Sequence, residues 1–82
     1  MRMDKSIYTP DHQRLCLKLR RLRSERGLTQ GDLASALGVN QTFVSKYERG
    51  ERRLDLLELR EVCRSLGVTL VEFVAEFDGG SI

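Results

Sequence analysis

One histidine, two cysteines and no long apolar stretch already narrow the chemistry open to this chain. His12 is the sole histidine, and its neighbours Asp11 and Cys16 read better as helix-start and core residues. No Ser-His-Asp arrangement and no glycine-rich phosphate loop can be drawn with any specificity, so an enzyme is not expected. Cys16 and Cys63 both fall inside amphipathic patterns and read as small buried hydrophobes. The sequence neither requires nor forbids a disulfide between them. Ligands at a metal-binding spacing are lacking, and no cofactor is implied. No apolar run approaches the roughly 18 residues that a membrane-spanning helix needs. The opening MRMDKSIYTPD has a basic residue but no apolar region of the kind a signal peptide carries. The expectation is a cytoplasmic protein with no membrane partner. No strand-like alternation runs for a convincing length. VTLVEF comes nearest, but Gly67 and the Thr69/Glu72 cap pattern mark it as a short helix.

What remains is a chain of 82 residues, enough for one domain with a small core. A domain of this size buries about 60% of its unfolded surface, so its stability should be modest. A hydrophobic fraction of 40% argues against disorder. The net charge of +2 is unevenly spread. Residues 1–53 hold twelve Lys or Arg against six acids, and residues 54–82 hold two Arg against six acids. A basic front and an acidic rear fit a nucleic-acid binder. They also fit an ordinary solvated surface, so charge alone does not decide.

Five helices are expected, in an all-α fold. Thr9 and Pro10 suit the cap and first position of a helix in which Leu15, Leu19 and Leu22 make one buried stripe, with Leu17 off it. Gly27 ends it, with Arg26 in its last turn. Thr29 caps a second helix running to about Leu37, and Asp32 three residues on completes a capping box. Leu33, Ala34 and Leu37 form its inner face, and Gly38 stops it. Asn40 caps a third helix, from Gln41 to about Arg49, with Val44 and Tyr47 facing inward; Gly50 ends it. Asp55 with Glu58, and Thr69 with Glu72, open a fourth and a fifth. Leu59, Val62, Cys63 and Leu66 form the buried face of the fourth.

The stretch QGDLASALGVNQTFVSKYERG, Gln30 to Gly50, thus holds two short helices joined by a turn containing glycine. The second helix begins with short polar side chains, and such a helix can enter the DNA major groove. From Leu19 to Leu66 the chain resembles the phage Cro and C1 repressor type of helix-turn-helix domain, the XRE family. Arg23, GLTQ, LA, LGV, VS and YERG carry the likeness. The resemblance implies a compact five-helix, lambda-repressor-like DNA-binding domain over 9–77, with an N-terminal arm at 1–8 and a short tail at 78–82.

It also implies roles for single residues. Gln41, Thr42 and Lys46 match positions that reach base edges. Their chemistry agrees: glutamine can bond adenine, threonine can touch a thymine methyl, and lysine can donate to guanine. Phe43 is less typical of the family. It either meets a thymine methyl or sugar, or packs beside the first turn. Gln30 matches a phosphate-contacting position that braces the recognition helix. Arg49, Arg52 and Arg53 follow that helix and are expected at phosphate oxygens, which position without reading sequence. Arg23 and Glu48 match an ion pair that clamps the first helix to the third.

The resemblance implies double-stranded DNA as partner, bound as a homodimer at an inverted repeat, because one such helix reads only half a site. Phe73, Val74 and Phe77 either close the core or supply a dimer surface. The chain has no room for a conventional sensor domain, so control by a small ligand is not expected. The leading expectation is a transcriptional regulator, a repressor or controller. The alternative is an antitoxin or other protein-interaction module that binds DNA to regulate itself, with a protein partner. The absence of a long disordered tail weighs against that alternative.

Overall fold

The computed structural model describes residues 9–79. The expected arm, 1–8, and the last three residues of the tail, 80–82, lie outside the described residues. Five α-helices follow in order: α1 (Pro10–Glu25), α2 (Gln30–Leu37), α3 (Gln41–Glu48), α4 (Leu56–Ser65) and α5 (Leu70–Asp78).

Each helix starts where a short polar side chain can satisfy an otherwise orphaned backbone N–H. Thr9 accepts from the His12 amide, with Pro10 at the first position. Asn40 accepts from Phe43. Thr29 with Asp32, Asp55 with Glu58, and Thr69 with Glu72 form reciprocal capping boxes. Arg49 is the cap of α3 rather than part of it. Between α2 and α3 the backbone must reverse within three residues, and Gly38 does so at φ 71°. A Cβ at that position would meet no neighbour, so the requirement is set by the left-handed backbone and not by crowding.

Leu19, Leu33, Ala34, Val44, Tyr47, Val62, Cys63, Leu66 and Phe73 form one buried cluster. Their spacing explains the packing: α3 buries Val44 and Tyr47 against α2 and α1, and α4 sets Val62 and Cys63 against α2 and α5. Both cysteines are buried and unbridged. Burial alone raises the Cys63 thiol to about 11, so it behaves as a small apolar group. Leu17 is exposed, as its place off the α1 stripe implies.

Two basic residues of α1 fasten α5. The Arg14 guanidinium lies 3.9 Å above the Phe77 ring and donates to the Phe77 carbonyl at 2.9 Å. It thereby caps one of the last carbonyls of α5. Lys18, buried against Phe73, reaches Glu76 at 2.8 Å. Phe73 therefore closes the core, at 3% exposure, and is not a surface residue. Phe77 stacks on it and is half-buried under Arg14. Only Val74 of the three, with its neighbour Val71, is open to solvent. The basic front and acidic rear are thus less separate than composition implies, because Lys18–Glu76 and Arg52–Glu58 cross between them. Among the described residues no helix is long and apolar enough to cross a membrane.

Thr69 makes its box with Glu72 through bonds of 3.1 and 2.9 Å. Thr69→Ala should lower stability by about 1 kcal/mol. In a domain of this size that is a fall of about 4–8 °C in melting temperature by circular dichroism. Hydrogen bonds from the Thr69 backbone and hydroxyl hold Glu72 below its ordinary 4.5, and Arg52 together with the Asp55 amide does the same for Glu58. A depressed carboxylate contributes stability above its unfolded pKa and loses it as pH falls through the folded one. The melting temperature should therefore change little between neutrality and about pH 5, and drop progressively below about 4.5.

Candidate nucleic-acid interface

Helix α3 has an apolar side that fixes it and a polar side that faces outward. Val44 and Tyr47 are at most 1% exposed. Gln41, Thr42 and Lys46 are all exposed. They share the outer face because the inward set recurs at a spacing of three and the outward pair Thr42/Lys46 at four. Asn40 caps the end from which Gln41 and Thr42 project.

A hydrogen-bonded chain braces this helix. Glu48 ends α3 with its side chain only 2% exposed. It accepts from Arg23 Nε at 2.7 Å and Arg23 Nη2 at 3.0 Å, a bidentate fork from α1. The third guanidinium nitrogen, Nη1, donates to the Leu28 carbonyl at 2.7 Å. Glu48 also accepts from Gln30 Nε2 at 3.0 Å. Gln30 Oε1 in turn takes a long 3.5 Å bond from Gln41 Nε2. The bond to Glu48 raises the Arg23 pKa further, against the pull of burial. Burial beside Glu48 pushes the Tyr47 phenol up, so it stays protonated.

The three arginines after α3 differ. Arg49 is bonded to Glu51 at 2.7 Å and to the Ser45 hydroxyl, both on the exposed surface. Arg52 is engaged from two sides: Glu58 holds it bidentately at 2.8 and 3.1 Å, and its guanidinium lies 4.4 Å above the Phe43 ring. Arg53 is exposed. Phe43 is half-buried between Arg52 and Tyr47, meeting Tyr47 edge to face at 5.9 Å. It lines a shallow apolar cleft with Leu37, Val39, Leu57 and Val62.

The structure thus brings Gln30, Gln41, Thr42, Lys46, Arg23 and Glu48 around one helix. It leaves Phe73 in the core and ties Arg52 to α4. Sequence reading did not find the Gln30–Glu48 bond, the Ser45–Arg49 bond or the partner of Arg52. Only Glu58 carried a signal, as a capping-box residue. Cys16 and His12 pack together, Sγ to Nε2 at 3.7 Å, inside α1. No group of three or more potential metal ligands occurs among the described residues.

A helix-turn-helix family model matches residues 18–73. A helix-turn-helix transcriptional regulator of Sinorhizobium fredii is 41% identical over 58 residues, which is 71% of this chain and 75% of that protein. Among solved structures, an XRE-family like protein from Pseudomonas syringae superposes with a TM-score of 0.84 at 37% identity, covering 95% of each chain. The restriction-modification controller protein C.Esp1396I, solved as a tetramer with its natural 35 base-pair operator, superposes at 0.78 with 27% identity. That match covers 87% of this chain and 93% of the other.

Removing Arg23 leaves a carboxylate in the core without its counter-charge. Arg23→Ala should lower stability by roughly 3–5 kcal/mol, seen as a large fall in melting temperature or loss of the cooperative transition. Arg23→Lys keeps the charge but not the fork, and should fall between that variant and the wild type. An unchanged melting temperature in Arg23→Ala would contradict the bracing role.

Proposed function

The chain belongs to the Cro/C1-type, or XRE, family of helix-turn-helix transcriptional regulators, and on that premise we propose that it binds double-stranded operator DNA sequence-specifically as a homodimer. The family is one of regulators and not of enzymes. The observation that carries the proposal is the two-sided α3: a polar, exposed Gln41–Thr42–Lys46 face on a helix whose other side is locked in the core.

Gln41, Thr42 and Lys46 read base edges. The long bond from Gln41 to Gln30 orients the Gln41 amide without exhausting it, so it can still pair with adenine. Gln30 spends one amide hydrogen on Glu48 and keeps the other for a phosphate. Arg49 and Arg53 address the backbone, Arg49 by exchanging Glu51 for a phosphate oxygen. A fully exposed ion pair is weak, because water screens it, so that exchange is easy.

One α3 spans half a site. Two copies related by a two-fold axis would present two such helices to half-sites about 34–36 Å apart. The C.Esp1396I tetramer on its operator supports assembly on DNA. Val71 and Val74, 79% and 43% exposed on α5, supply apolar surface for the second copy. The protein acts in the cytoplasm, over a domain at 9–77.

Selection of duplexes from a random pool at fixed salt tests the proposal. An inverted repeat should emerge, and the absence of any enrichment over competing duplex would overturn the reading. On the selected site, Lys46→Ala should relax preference at one base position by about 1–3 kcal/mol. Arg53→Ala should instead weaken all duplexes alike and reduce the slope of log affinity against log salt by about 0.9.

A further inference from the structure

Arg52 sits where a phosphate contact would be expected, yet three of its five N–H groups are engaged within the chain. Two of its nitrogens hold both oxygens of Glu58, at 2.8 and 3.1 Å, and one of them also donates to the Arg53 carbonyl at 3.1 Å. Its plane covers Phe43 at 4.4 Å. Glu58 is itself fixed, because it is the reciprocal member of the α4 capping box and accepts from the Asp55 amide at 2.9 Å. Phe43 is fixed from the other side by Tyr47, which is 1% exposed. Single exposed ion pairs contribute little, but planar bidentate pairs with further anchors are the exception.

We propose that Arg52 is a positioning residue for DNA reading: pinned by Glu58 to the start of α4, it clamps Phe43 and so sets the pose of the Gln41–Lys46 face without touching DNA. Phe43 follows Thr42 directly and precedes Lys46 by three residues, so a shift of its ring moves the end of α3 that carries the readers. The inference rests on the DNA-binding reading above and assigns Arg52 and Phe43 within it.

The sign of one substitution separates the alternatives. Glu58→Gln keeps the oxygen that accepts from Asp55 and removes the charge that holds Arg52. If Arg52 were a phosphate contact, releasing it would raise affinity for every duplex and steepen the salt slope. As a positioning residue it gives the opposite: Glu58→Gln and Arg52→Ala should each lower the ratio of selected to random duplex affinity by about tenfold. Neither should flatten the salt slope by the 0.9 or so that a lost phosphate contact removes. Binding is measured by fluorescence anisotropy over a salt series, at a temperature where melting curves show each variant folded. A rise in affinity for Glu58→Gln, or a flattened slope in Arg52→Ala, overturns the inference.

A second readout needs no DNA. Amide hydrogen exchange at Thr42–Val44 should quicken in both variants while the buried middle of α1 stays protected. Unchanged exchange there overturns the inference even if no duplex is ever selected. Failed selection with quickened exchange would instead fault the DNA-binding reading and leave the clamp standing.

Discussion

A carboxylate buried to 2% exposure at the end of an eight-residue helix is the constraint around which this domain is built. A polar group buried there without partners would be strongly destabilising. Arg23 from α1 and Gln30 from α2 meet Glu48, and the Leu28 carbonyl takes the remaining arm of the guanidinium. Three helices are thereby fixed at one point. A helix as short as α3 would not be stable in isolation; here the apolar side contributed by Val44 and Tyr47 and the polar anchor at Glu48 hold it together.

That arrangement leaves the other side of α3 facing outward. Gln41, Thr42 and Lys46 are exposed there, so their side chains are open to a partner. The anchoring network reaches the proposed readers only at its end, through the long Gln30–Gln41 bond. Arg52 and Phe43 supply a second hold from the α4 side. Precision in a recognition helix comes from such supports, since a groove-reading side chain is only as well placed as the backbone that carries it.

Much of this was legible in the sequence, for physical reasons that differ from place to place. Helix starts at Thr9, Thr29, Asn40, Asp55 and Thr69 could be read because capping is local chemistry, settled within three residues. Val44 and Tyr47 followed from periodicity. The Arg23–Glu48 pair was reached only through family resemblance, since nothing local joins residues 25 apart. The partners of Arg14, Lys18 and Arg52 could not be read from the sequence, because Phe77, Glu76 and Glu58 lie on other helices, far along the chain or outside any local pattern that joins them. Phe73 and Val74 are adjacent, equally apolar and on one helix, yet one is core and the other exposed. Their difference depends on how α5 lies against α1, which tertiary packing sets.

The central claim is that the exposed face of α3 is the surface that meets DNA. Titrating isotopically labelled protein with its selected duplex, and following backbone amide shifts by NMR, tests this most directly. The largest changes should fall on Gln41, Thr42 and Lys46 and at the start of α2, and should exceed those caused by a random duplex of equal length. Changes centred instead on Leu56 and Leu57 of α4 or on Val71 and Val74 of α5, with α3 unmoved, would contradict the account.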